Sequence, residues 1–195
     1  VLAAAACLGG LRLHNVGLFD FSAARPLYEA LAKTPKNALI AGHPGLMDEV
    51  PAFGRRRAFA TFELAQPWAK GYWRLLKPRL EELFEAYYSS DPRVIIDFCR
   101  RRHIDFLVVD RRHFTPEFLS GAWFYFPFDR PAPPGHPKPR LAERGWCPFF
   151  APFDEQIRRQ VQGRRRFALL DPQIFPGRPL DENLRLLDLR PYRSP

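Results

Sequence analysis

The chain has 195 residues, 46% of them hydrophobic, a net charge of +9, 21 prolines and 18 phenylalanines. That length supports one core of ordinary size and a single domain, and the composition excludes a collagenous or wholly disordered chain. The positive charge raises nucleic acid and anionic membranes as partners; 25 of the 30 basic residues are arginine, a skew that GC-rich coding also produces, and with no recognition motif beside it nucleic acid is set aside.

Residues 1–13, VLAAAACLGGLRL, are too few to cross a bilayer, which takes ~20 apolar residues, and lack the basic start of a secretory signal. They read as the last turns of a membrane helix or as an amphipathic segment, and residues 14–195 as a single α/β domain. In SAARPLYEALAKTPKN, Ser22 and Pro26 open a helix that Pro35 ends. Ala38 to Ala41 is a short apolar strand. Asp48 can cap a short helix carrying Val50 and Phe53 and closed by Gly54, and Ala58 to Leu64 reads as a second strand. The stretch from Pro67 to Ser90 predicts a long helix with Leu76, Leu80, Leu83, Phe84 and Tyr87 on one stripe and a break or kink at Pro78. Asp91-Pro92 starts the next helix, which ends in Arg100 to Arg102, and IDFLVVD is the clearest strand.

After a short helix opened by Thr115 and Pro116, residues 121–148 form a proline-rich, aromatic insertion without periodicity, too long for a plain connection. PFDEQIRRQVQG predicts a helix stopped by Gly163, FALLD from Phe167 the last strand, and the tail one more docked helix or strand. Four strands joined through helices predict an α/β fold, a Rossmann-like parallel sheet of about four strands flanked by helices. The cysteines are Cys7, Cys99 and Cys147; Cys99 and Cys147 can pair only outside the cytoplasm, and no zinc spacing occurs.

Parallel strands sort the charges. Arg55, Arg56, Arg57, Arg100, Arg101, Arg102, Arg164, Arg165 and Arg166, with Lys33 and Lys36, precede strands, so they gather on the amino edge as a patch for anionic lipid headgroups. At the carboxyl edge, where open parallel sheets bind ligands, stand His43, Glu63, Asp110 and Asp171. His43, Asp48 and Asp110 are the candidates for acid–base chemistry, and Glu63, Arg111 and Asp171 for ligand binding. LIAGHPG lacks the dinucleotide fingerprint, the phosphate-loop lysine and the nucleophile elbow. Nothing points to a cofactor or a metal. Trp68, Tyr72 and Trp73 along one helix read as packing or as an interfacial aromatic belt.

The order of phrases, PLYEALAKTPKNALIAGHPGLMDEVPAFGRRRAFATFELAQPWAKGYW, RLEELFEAYYSSDPRVIIDFCRRRHIDFLVVDRRHF and FFAPFDEQIRRQVQGRRRFALL, resembles the C-terminal globular domain that follows the last membrane helix in large polytopic bacterial membrane proteins, including glycosyltransferase-C-like ones. It spans roughly Leu27 to Leu170. The resemblance implies an extracytoplasmic, noncatalytic domain held at the membrane by upstream helices, with residues 1–13 the end of the last one. It would position a lipid-linked sugar, a headgroup or another partner. Sugar transfer in such proteins is attributed to acidic residues in loops between membrane helices, so no catalytic residue carries over to these positions. The alternative is a free-standing α/β enzyme with a site around His43, Asp48 and Asp110.

Overall fold

A computed structural model describes residues 22–61, 64, 70–120, 156, 159–161, 163–164 and 166–193. The expected membrane-helix end at 1–13, the insertion at 121–148, Cys7, Glu63, Trp68, Cys147 and Arg165 lie outside the described residues. Helix α1 (Arg25–Ala32) has proline in its first turn and buries Leu27, Ala30 and Leu31. Strand β1 (Leu39–Ala41) follows. It ends at Gly42, where a Cβ would stand 2.9 Å from Met47 Cε and 3.2 Å from the Val108 carbonyl oxygen, so a larger residue would have to displace the Met47 side chain and crowd β3.

Helix α2 (Pro44–Met47) runs into a π-helical turn, Val50–Gly54. Asp48 closes α2 rather than capping the next turn, whose N-cap is Glu49 without a side-chain hydrogen bond. Strand β2 is short (Arg57–Ala58). Helix α3 (Lys70–Tyr87) continues through Pro78 without a break. Burial of Leu76, Leu80, Leu83, Phe84 and Tyr87 on one stripe outweighs the backbone hydrogen bond lost there, a tertiary override of local propensity. Helix α4 (Pro92–Arg102) starts as predicted, with the Asp91 carboxylate accepting from the Arg93 amide at 2.9 Å. Strand β3 (Phe106–Asp110) is buried at every position, and helix α5 (Pro116–Ser120) follows it.

The last predicted strand is not one. Ala168–Leu170 forms a 3₁₀ turn, closed by the Asp171 amide on the Ala168 carbonyl at 3.1 Å, and Pro172 has no N–H to carry a ladder further. The tail supplies the remaining strands instead, β4 (Gly177–Pro179) and β5 (Leu184–Asp188), around a turn in which Asp181 accepts from the amides of Asn183 and Leu184, each at 2.7 Å.

The result is an α/β fold with a mixed five-stranded sheet in the order β2-β1-β3-β5-β4. Strand β1 pairs in parallel with β2 and β3, while β5 runs antiparallel to both β3 and β4. Strand β5 thus replaces the fourth parallel strand that the sequence predicts, with Phe106 opposite Asp188 and Asp110 opposite Leu184.

Alternation along β3 divides the core. Leu107 and Val109, with Ala41 and Leu187, face α3 and α4 through Phe84, Tyr87, Ile95, Phe98 and Cys99. Phe106 and Val108, with Ile40, Leu184 and Leu186, face α1 through Leu27 and Leu31 and are joined by Met47 and Val50. Helices thus cover both faces of the parallel strands, as parallel pairing demands. Among the described residues no helix is long and apolar enough to cross a membrane.

Candidate functional site

In the order β2-β1-β3 the chain leaves β1 toward one side and returns on the other. The crevice beyond the carboxyl ends of β1 and β3 is therefore the topological switch point, the usual ligand position in such sheets. His43 leaves β1 there and Asp110 ends β3 there. The two are 4% and 1% exposed, so neither stands in an open cleft.

Packing of the crossover fills the crevice. The His43 ring lies 4.4 Å, centroid to centroid, from His113, 5.5 Å from Phe118, 5.6 Å from Phe84 and 6.4 Å from Tyr87. His113 belongs to the 3₁₀ turn Arg111–Phe114, and the Asp110 carboxylate caps that turn by accepting from the Arg112 amide at 2.9 Å. The same carboxylate takes the Arg112 guanidinium in fork geometry, Nε at 3.0 Å and Nη2 at 2.6 Å. Its charge is thus matched by an arginine that reaches solvent.

Tyr87 ties the two strand ends to α3. Its hydroxyl accepts from the Asp110 amide at 3.2 Å and lies 3.2 Å from His113 Nδ1. His113 thus shares a hydrogen bond with the Tyr87 hydroxyl through Nδ1, while its Nε2 stands 3.9 Å from Asp110 Oδ2. Burial holds the Tyr87 phenol protonated by pushing its pKa up. It also pushes His113 down to about 3, with the Arg112 charge acting in the same direction. His43 lies well below the ordinary histidine range, first through burial and then through His113, with Asp110 opposing. Both imidazoles are neutral at physiological pH and are very weak bases. Among the described residues His43 Nε2 has no hydrogen-bond partner. No group of three metal-ligating side chains occurs among them either.

Two other sequence candidates are held by local backbone contacts. The Asp171 carboxylate turns back on the Gln173 amide at 2.8 Å, and the Arg111 amide donates to the Asn183 carbonyl at 3.0 Å. Glu63 lies outside the described residues.

The arginine triplets are largely engaged in holding the fold. Arg56, 8% exposed, donates to the carbonyls of Ala32 and Thr34 and to Thr34 Oγ1, closing the end of α1. Arg57 donates to the Asn37 carbonyl at 2.6 Å, while the Arg55 backbone is left-handed with φ 53°. Arg102 and Arg101 reach Glu82 at 2.5 and 4.0 Å, and Arg100 donates to the Tyr192 carbonyl at 2.8 Å. Arg164 donates to the Tyr88 carbonyl at 2.6 Å. Tyr88 directly follows the end of α3 at the carboxyl edge. With no strand after them, Arg164 and Arg166 precede the 3₁₀ turn instead, and Arg164 stands at the opposite end of the sheet from Arg102.

His113 and Tyr87 are the site residues that the sequence pattern leaves unmarked. The signal for His113 is its place three residues after a strand-ending aspartate, which brings its ring back beneath the strand end. Tyr87 is legible only as one more apolar position on a helix. The chain matches no protein-family model and no curated protein.

Proposed function

We propose that this chain is a noncatalytic domain of an integral membrane protein, bacterial and glycosyltransferase-like, standing on the extracytoplasmic side and helping to position a substrate or partner at the membrane. The observation that carries the noncatalytic part is the filled switch point. The candidate groups His43 and Asp110 are sealed beneath Phe84, Tyr87 and Phe118, with neutral imidazoles and a carboxylate already paired to Arg112. A general base needs a pKa near the working pH and a path to its proton; the two imidazoles have neither. The order of sequence phrases supports the membrane-attached part of the reading.

The test is fractionation of cells that make the protein from its native gene. The chain is expected in the alkali-resistant membrane fraction, with the domain cut by protease added outside spheroplasts. Recovery in the soluble fraction would overturn the reading. One observation favours the enzyme alternative around His43, Asp48 and Asp110: a buried, unpartnered Nε2 stands at the position where α/β enzymes do their work. Loss of the parent protein's activity in His43→Gln, with thermal stability unchanged, would select that alternative.

A further inference from the structure

The amino edge of the sheet carries an open groove of about 650 Å³, within the size range of small-ligand sites. It lies at the other end of β3 from the histidine cluster, four residues or about 13 Å along the strand. Its floor is apolar and closely packed: Phe106 and Leu186, 5% and 7% exposed, beside Ala30. One wall is the end of α1 and the following turn, with Lys33, Thr34 and Pro35, and the other is Pro176 and Arg178 at β4. Asp188 and Arg190 close one end.

The charges are unequal. Arg190 grips Asp188 through Nε at 2.9 Å and Nη2 at 2.5 Å and lays its guanidinium over the Phe106 ring, 4.9 Å from the centroid. The Arg190 hydrogen bonds thereby hold Asp188 below the ordinary carboxylate value. Lys33 and Arg178 remain on opposite walls, and among the described residues neither has a carboxylate partner. Two cations lining one groove with an apolar floor suit a dianionic head better than a single carboxylate. The outer face of the stacked Arg190 guanidinium offers a flat cationic platform for an aromatic ring.

We propose that this groove binds a small phosphomonoester with a planar aromatic body, the phosphate held between Lys33 and Arg178 and the ring lying on Arg190 above Phe106 and Leu186. The proposal rests on the positioning reading only in placing ligand binding away from His43, and its test needs no membrane. A wrong cellular location therefore leaves it standing, and a failed titration leaves the location standing.

The test is a fluorescence titration of the purified protein with 1-naphthyl phosphate, with inorganic phosphate and 1-naphthol as the partial probes. Saturable binding of 1-naphthyl phosphate is expected, at least about tenfold tighter than either partial probe. Lys33→Gln and Arg178→Gln should each weaken it about tenfold, the usual effect of deleting one charged hydrogen bond. Arg190→Gln should weaken 1-naphthyl phosphate but not inorganic phosphate. Both wall residues are exposed, and circular dichroism confirms that each variant is folded. No saturable binding by the wild type, equal binding of 1-naphthol, or unchanged affinity in the Lys33→Gln/Arg178→Gln double variant would each overturn the proposal.

Discussion

The two ends of β3 show what strand direction does and does not decide. At the carboxyl end, Asp110 and His43 arrive where an α/β sheet usually binds its ligand, and α3 and α5 close over them with aromatic rings. At the amino end, Phe106 arrives where ligands are rare, and the antiparallel β5 brings Asp188 and Arg190 into an open groove. Topology positions the residues, whereas the packing of the crossovers determines which edge stays accessible. The lesson concerns energy as well as shape, since one end is held by buried rings and the other by exposed charge.

Deleting a ring at the closed end is the strongest way to break that contrast. Tyr87→Ala removes a fully buried aromatic that bridges α3 and β3, and is expected to cost about 3 to 5 kcal/mol in urea unfolding. Tyr87→Phe keeps the ring but strands the Asp110 amide, for about 1 to 3 kcal/mol. Arg190→Ala at the open end, where the pair with Asp188 is exposed, should cost under about 1 kcal/mol. Equal losses for Tyr87→Ala and Arg190→Ala would show that the two ends do not differ in this way.

Acid should reach the closed end next. His43 and His113 have folded pKa values below the unfolded value of about 6.5. The unfolded chain therefore binds more protons than the folded one as pH drops through 6.5. Stability is full above that value and is lost below it, down toward pH 3 for His113. Between pH 6.5 and 5 the loss is on the order of 1 to 2 kcal/mol for His113, and His43 adds to it in the same direction. Chemical unfolding across that window should show the slope, and His113→Gln should remove about half of it. A flat profile would mean that the rings are solvated.

Much of this was legible beforehand, and the failures are physical. The apolar runs and their turn residues mark β1 and β3, Asp91-Pro92 marks the start of α4, and the carboxyl-edge positions of His43 and Asp110 follow from parallel pairing alone. FALLD looks like a strand because composition cannot show that its amides close a 3₁₀ turn before Pro172. LRLLD, masked by flanking charges, takes the inner place because both of its faces are covered, by Leu187 on one side and by Leu184 and Leu186 on the other. That one exchange moves Arg164 away from the amino edge and brings Arg190 to it. His113 stays hidden because no local pattern reports which ring a turn folds back beneath a strand.

At the open end itself, neighbouring arginines should separate sharply. Arg56 is buried against three oxygens of Ala32 and Thr34, so Arg56→Ala strands the end of α1 and should cost about 1 to 3 kcal/mol. Arg55→Ala, at an exposed side chain, should move thermal stability by less than about 0.5 kcal/mol. A similar loss in both variants would make the whole triplet a structural clamp and leave no distinction between its members.

The smallest effect concerns His103, which ends α4 with φ 55° while its amide donates to Arg100 and Cys99. A left-handed conformation costs a residue with a Cβ about 1 to 2 kcal/mol, and glycine avoids this at an entropic cost of about 0.5 to 1 kcal/mol in the unfolded chain. His103→Gly should therefore stabilise the fold by about 0.5 kcal/mol. His103→Ala retains the Cβ and removes only an exposed ring, so it should not stabilise. If alanine raised the melting temperature as much as glycine, the strain would lie in the imidazole and not in the backbone. The amino edge would then be limited by side-chain crowding, as the carboxyl edge is, and the contrast between the two ends of β3 would weaken at the point where it depends least on charge.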